Sequence, residues 1–91
     1  MLNITTNQYT LIVANLLLIH YGMDVLDVDL DESMVEASIA VNERPYELVN
    51  NFVNRYDLVR ITPSAHANID NTLSTTDEEA AIRLLNLSVE L

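Results

Sequence analysis

The chain has no lysine. Its only fixed cations are four arginines, against fourteen aspartates and glutamates, so it carries a formal net charge of −10 on 91 residues. Cysteine and tryptophan are also absent, and there are one glycine and two prolines. Each shortage removes a class of chemistry. Without cysteine there is no disulfide framework, no thiolate metal site and no thiol nucleophile. Without lysine there is no Schiff base and no phosphate-loop amine. A single glycine cannot build the glycine-rich loops that cradle nucleotide phosphates. Four arginines cannot supply the roughly 6–10 phosphate contacts of an ordinary nucleic-acid binder, and a field of this sign repels DNA, RNA and anionic bilayers. No direct nucleic-acid partner, no membrane partner and no cofactor are therefore expected.

The apolar stretch from Leu11 to Ile19 is broken by Asn15 and falls well short of the roughly 20 residues that a spanning helix needs. No basic start or small-residue cleavage site marks a secretion signal, so the expected location is the cytoplasm. What the sequence does contain is apolar side chains, at 49% of residues. Disordered acidic chains lack these. The composition describes one folded domain over residues 1–91 with an acidic exterior. A chain of this size buries roughly 60–65% of the surface that its unfolded form exposes.

Hydrophobic periodicity and turn chemistry divide the chain. Thr5 and Thr6 can cap a helix running from Asn7 to Tyr21, and Gly22 can end it in the left-handed conformation. That helix is apolar around most of its circumference and carries no charge. It is expected to be buried in a core or against a second copy, with Tyr9, Ile12, Leu16, Leu17 and Tyr21 as the dimerisation residues. From Leu26 to Asp31 apolar and acidic residues alternate, and residues 34–41 alternate too. Asp31-Glu32-Ser33 would be the turn of a β-hairpin. A helix competes with the second strand, because Ser33 and Glu36 have capping-box spacing and Met34, Val35, Ser38 and Ile39 share a helical face.

Pro45 suits the first turn of another helix, with Asn42 or Arg44 as cap and Leu48, Val49, Phe52, Val53 and Tyr56 as its apolar stripe. Leu58–Thr62 reads as a short strand stopped by Pro63. Residues 63–75 read as a loop, and Thr76 with Glu79 as the capping box of a last helix. The expected fold is a small α+β domain: helix, β-hairpin, helix, short strand, helix.

The densest chemistry lies in Asp24, Asp27, Asp29, Asp31, Glu32 and Glu36, six acids in thirteen residues with no base among them. Asp27, Asp29 and Asp31 resemble the opening of a calcium loop, but position six holds Glu32 instead of glycine and position twelve holds Ser38 instead of glutamate. On a strand these carboxylates would stand roughly 6.6 Å apart, twice the strand rise. That spacing is too wide to close on one ion, and no metal site is expected. The same six residues are the expected partner-binding face.

The composition points to a non-catalytic, homodimeric interaction module that binds a protein with a basic surface. One alternative is a nucleic-acid mimic that occupies a DNA- or RNA-binding protein, since small acidic inhibitors from phages and plasmids share this composition. The other is a small enzyme built on Asp, Glu and His. His20 and His66 are the only imidazoles, and no base is marked beside Ser64, Ser74 or Ser88. The Asn50, Asn51 and Asn54 face of the second long helix is a further candidate contact surface.

The charge imbalance makes a prediction independent of fold. Raising salt from about 0.01 to 0.15 M at pH 7 shortens the screening length from roughly 30 to 8 Å. It should raise the thermal midpoint by relieving self-repulsion. A midpoint indifferent to salt in a calorimetric series would show that repulsion does not limit stability.

Overall fold

Thr5 opens the first helix. Its hydroxyl accepts from the Gln8 amide at 3.1 Å, and the Gln8 side chain returns the bond to the Thr5 amide at 3.0 Å. This reciprocal cap satisfies two of the donors that a helix start leaves free. In a computed structural model that describes residues 2–61 and 71–91, the helix (α1) spans Thr6–Tyr21 and ends at Gly22, whose φ is 65°. A one-turn 3-10 helix, Val25–Val28, follows, and then α2 (Glu32–Ala40), α3 (Pro45–Tyr56) and α4 (Thr75–Leu85).

The fold is all-helical, not α+β. Among the described residues the only β pairing is one antiparallel bridge between Asn3 and Glu90. The expected hairpin is absent because its aspartates bind backbone amides. Asp24 accepts from the Leu26 amide at 2.9 Å and Asp27 from the Asp24 amide at 2.9 Å. Asp31 accepts from the Met34 amide at 2.9 Å. Short carboxylate side chains that bond their own backbone compete with strand ladders and start helices. The alternation of residues 26–31 is thus a succession of caps. Residues 34–41 instead follow the helical spacing, with Val35 and Ser38 buried and Met34 and Ile39 half-buried on one side of α2. The strand expected at Leu58–Thr62 is also missing. Leu58–Ile61 runs without strand pairing, its Ile61 amide donating to the His20 carbonyl at 2.7 Å, and Thr62 lies outside the described residues, as do residues 63–70 of the expected loop.

α1 is the central element, touching α2, α3, α4 and the 3-10 turn. Tyr9, Ile12, Val13, Leu16 and Leu17 are fully buried, with Val28, Val35, Val49 and Phe52 packed into the same core. In a chain with one glycine, other residues take the left-handed positions that end helices and turns: Asp29, Asn42, Asp57 and Asn86 all have φ between 53° and 59°. Asn and Asp tolerate this region better than other side chains do.

α3 starts differently. Arg44 occupies its cap position and makes no side-chain cap bond. The missing acceptor comes from α4. Ser74, not Thr76, caps α4, in a box with Asp77. That start places Glu78 one turn in, fully buried and facing α3. One Glu78 oxygen accepts from Arg44 Nε at 2.9 Å and Nη2 at 2.6 Å, and the other from the Tyr46 amide at 2.9 Å. A buried carboxylate with these three donors is both an ion-pair partner and a helix cap supplied from another helix.

A second clasp joins the end of α1 to the approach to α4. Arg60 donates to Asp77 at 2.9 Å and to the Thr72 carbonyl at 3.3 Å, and lies 3.5 Å from His20 Nδ1. The Arg60 amide donates to the Asn71 side chain, and the Tyr21 hydroxyl donates to the Asn71 carbonyl. Asn50 on α3 pairs with Leu73 as a strand would, donating to its carbonyl at 3.0 Å and accepting from its amide at 2.7 Å.

Two predictions follow from these clasps. Glu78→Ala should destabilise by about 3–5 kcal/mol, because it strands a largely desolvated Arg44 and a helix-start amide. In a domain this small that lowers the midpoint by well over 10 °C. Glu78→Met with Arg44→Met should lose less than the two single changes added together; a double loss equal to that sum in a denaturant series would show that the pair is not coupled.

Partial burial, and then the adjacent Arg60, hold the His20 imidazole below its ordinary value, while Asp77 pulls the other way. The unfolded chain then takes up the proton more readily than the folded one. The His20 contribution is complete above about pH 6.5 and is lost as pH falls through the lowered folded value. Replacing His20 with Gln should flatten the decline in thermal midpoint between pH 7 and 5. An unchanged slope would separate His20 from the clasp.

Candidate functional site

The acidic segment occupies the 3-10 turn, the loop after it and the first turns of α2. Its six carboxylates divide into two groups. Asp24, Asp27 and Asp31 are tied to backbone amides, as above. Asp31 also accepts from the Ser33 hydroxyl at 2.6 Å. That bond first, and the Met34 amide second, hold its carboxyl below the usual carboxylate range, so it stays ionised at neutral pH. Asp29, Glu32 and Glu36 are exposed, and the two ion pairs found among the described residues include none of them. Glu32 and Glu36 stand one helical turn apart, close enough to repel each other.

The regular acidic row expected of a strand does not exist. In its place is an irregular acidic surface around a groove. The groove has a volume of about 230 Å³ and is lined by Thr6, Asn7 and Thr10 of α1, Val25 and Leu30 of the following turn, and Asp31 and Glu32 of α2. Its lining combines the hydroxyls and amide of α1, aliphatic side chains of the turn and the carboxylates of Asp31 and Glu32.

Charge is strongly segregated. Residues 1–43 hold Asp24, Asp27, Asp29, Asp31, Glu32, Glu36 and Glu43 and no Lys or Arg; all four arginines follow. Arg44 and Arg60 are held in the two clasps, and Arg55 and Arg83 are exposed on α3 and α4. A second groove, of about 290 Å³, runs between α4 and the C-terminal residues and is lined by Arg44, Glu79, Ile82, Arg83, Val89 and Leu91.

The other residues singled out from sequence have structural places. Tyr9, Ile12, Leu16, Leu17 and Tyr21 all lie inside the chain's own core. The surface that α1 leaves open carries Leu11, Leu18 and Ile19 instead. Tyr9 donates to the Glu43 carbonyl at 2.7 Å. Burial pushes its phenol far above the ordinary value, a hydrogen bond with Ser38 opposes the rise, and the Glu43 carboxylate adds to it. Glu43 itself clamps α2 to α3, accepting from Ser38 at 2.7 Å and from Asn51 at 2.8 Å. Of the asparagine face, Asn50 and Asn51 are thus engaged internally and Asn54 is exposed. His66 and Ser64 lie outside the described residues. No group of three or more His, Cys, Asp or Glu among the described residues is arranged to hold a metal ion, and no helix is long and apolar enough to cross a membrane.

The Arg44–Glu78 pair had no readable signal, because Glu78 looked like one of three acids at the start of a helix. The open stripe of α1 did have one: Leu11, Ala14 and Leu18 are spaced three and four apart, the seam spacing of paired helices.

No curated protein and no solved structure matches the chain. Residues 7–79 match the family described as the CbtA toxin of type IV toxin-antitoxin systems. The match takes in the acidic segment, the groove apart from Thr6, α1 from Asn7 on, α2, α3 and the start of α4 through Glu79. The chain belongs to the CbtA toxin family, small protein-interacting toxins whose partners are proteins: an antitoxin and targets.

Proposed function

We propose that this toxin acts in the cytoplasm by stoichiometric, non-catalytic binding, presenting Asp29, Glu32, Glu36 and the rim of the adjoining groove to a basic surface on a target protein. The observation that carries this reading is the charge segregation. Seven acids and no Lys or Arg occupy residues 1–43; six of them are exposed and outside the ion pairs found among the described residues, and Asp29, Glu32 and Glu36 are the three of these whose side chains cap no helix. A one-signed field on a fixed surface steers a complementary partner and selects against like-charged ones. The buried polar groups support the same view, since Glu78, Ser38 and Tyr9 are each occupied in joining one segment to another. We also take the working unit to be a homodimer, because a second copy would present the acidic surface twice and cover apolar surface left on α1.

The test is the triple change Asp29→Asn, Glu32→Gln and Glu36→Gln. It spares the three capping aspartates and keeps side-chain size, and Asn is well suited to the left-handed position of Asp29. The variant should stay folded by circular dichroism. Exposed charge pairs are worth about 0.2–1 kcal/mol each, so three together should weaken target binding by roughly 3- to 150-fold. Growth arrest on expression should weaken with it, and the captured partner should lose much of its salt dependence. A triple variant that arrests growth fully and retains the same partner across salt concentrations would remove the acidic surface from the mechanism.

A further inference from the structure

The outward stripe of α1 is an apolar helix surface that its own chain leaves open. It comprises Asn7, Leu11, Ala14, Asn15, Leu18 and Gly22. Leu11 is 49% exposed and Leu18 63%. Beyond Gly22 the stripe continues onto Ile61, whose Cδ1 lies 3.6 Å from where a Cβ on Gly22 would sit and which is 65% exposed. We propose that this stripe is the interface through which two copies of the chain pair, their first helices antiparallel about a two-fold axis passing between Ala14 and Asn15. The proposal rests on the homodimer part of the functional reading; the stripe meets the acidic groove only at Asn7.

Two features identify a second copy as the occupant. The first is charge. On a chain of net charge −10, residues 1–23 carry no charged side chain. Two identical copies repel each other across their acidic surfaces, and the uncharged stripe is where they can approach with few like charges opposed.

The second is symmetry. An isologous contact requires that if one residue meets another, the second meets the first on the other copy. The stripe satisfies this by position. Leu11 and Leu18 are equally far from the point between Ala14 and Asn15, and so are Asn7 and Gly22. Leu11 of one copy then packs on Leu18 of its partner. Ala14 allows the helices close approach. Asn15 of one copy then meets Ala14 of its partner beside the axis, and this polar position sets the register.

The contact is small. From Asn7 to Gly22 the stripe is about 22 Å long on a helix about 10 Å across, below the roughly 800 Å² per partner of a standard stable interface. A reversible dimer follows, with Kd on the order of 1–100 µM.

Light scattering and sedimentation from about 1 µM to 500 µM, ranges chosen to bracket that Kd, should show a mass rising from 10.2 kDa toward twice that value. Leu18→Glu, at an exposed position, should remain a monomer throughout with unchanged circular dichroism and thermal midpoint. Because the chain has no cysteine, Asn15→Cys reports directly on the axis: mild oxidation should give a covalent dimer far faster than Leu84→Cys, an exposed control on α4. A wild-type monomer at the highest concentration overturns the homodimer and its interface together, including the case where Leu18→Glu weakens target binding, which would assign the stripe to another protein. A wild-type dimer that Leu18→Glu leaves intact, or equal oxidation of the two cysteine variants, overturns this interface alone.

Discussion

A carboxylate shut away from solvent organises this structure. Glu78 lies fully buried between α3 and α4, with three hydrogen bonds from Arg44 and the Tyr46 amide. Neither helix has an independent solution at this point. α3 begins at an arginine that makes no cap bond, and an ionised carboxylate could not be buried in α4 without donors. Each supplies what the other lacks. The side chains of Glu78 and Arg44 belong to segments more than thirty residues apart, so the bond forms only when both helices lie against α1. It ties the order of packing to the electrostatics: α4 must be placed before α3 has a complete start.

The same economy runs through the rest of the chain. With one glycine and no lysine, the molecule uses Asp and Asn for purposes that other proteins divide among several residue types. Asp24, Asp27 and Asp31 supply helix starts, and Asp29, Asn42, Asp57 and Asn86 supply left-handed turns. Asn50 pairs with Leu73 as a backbone would. Much of the acidity is therefore architectural, and Asp29, Glu32 and Glu36 are the residues of the acidic segment left facing solvent without a capping bond. In a family of toxins that work through protein partners, this distinction decides which charges can be changed without unfolding the domain.

The legible parts of the fold were those set by local rules. The start of α1 at a threonine cap, its end at Gly22 and the proline at the start of α3 each depend on a backbone group and a side chain within a few residues, and the structure has them there. The hairpin failed for a physical reason. Alternating apolar and acidic residues describe a half-buried strand only if the acids point to solvent, and Asp24, Asp27 and Asp31 instead turn back onto nearby amides. The rival helical reading of residues 33–42 rested on the right spacing of Met34, Val35, Ser38 and Ile39 but on Ser33 as cap, where Asp31 acts two residues earlier. For α4 the cap likewise moved from Thr76 to Ser74. The competing Ser and Thr caps are equivalent locally, and burial of Glu78 separates them.

By itself the sequence determined composition-level properties: a folded acidic domain with no thiol or lysine chemistry, an uncharged first helix and seven acids in the first 43 residues without a balancing base. These follow from counting side chains, and no packing can alter them. Only the tertiary structure decided which side of α1 faces the core. Tyr9, Ile12, Leu16 and Leu17 went inside and Leu11 and Leu18 stayed out, although all six are apolar and equally suited to burial. That choice depends on where α2, α3 and α4 can close around one cylinder, which is a property of contacts between distant segments. Tertiary structure likewise decided that Glu78 is a buried cap while Glu79, its neighbour, is exposed, because adjacent helical residues point about 100° apart and only one direction leads to Arg44.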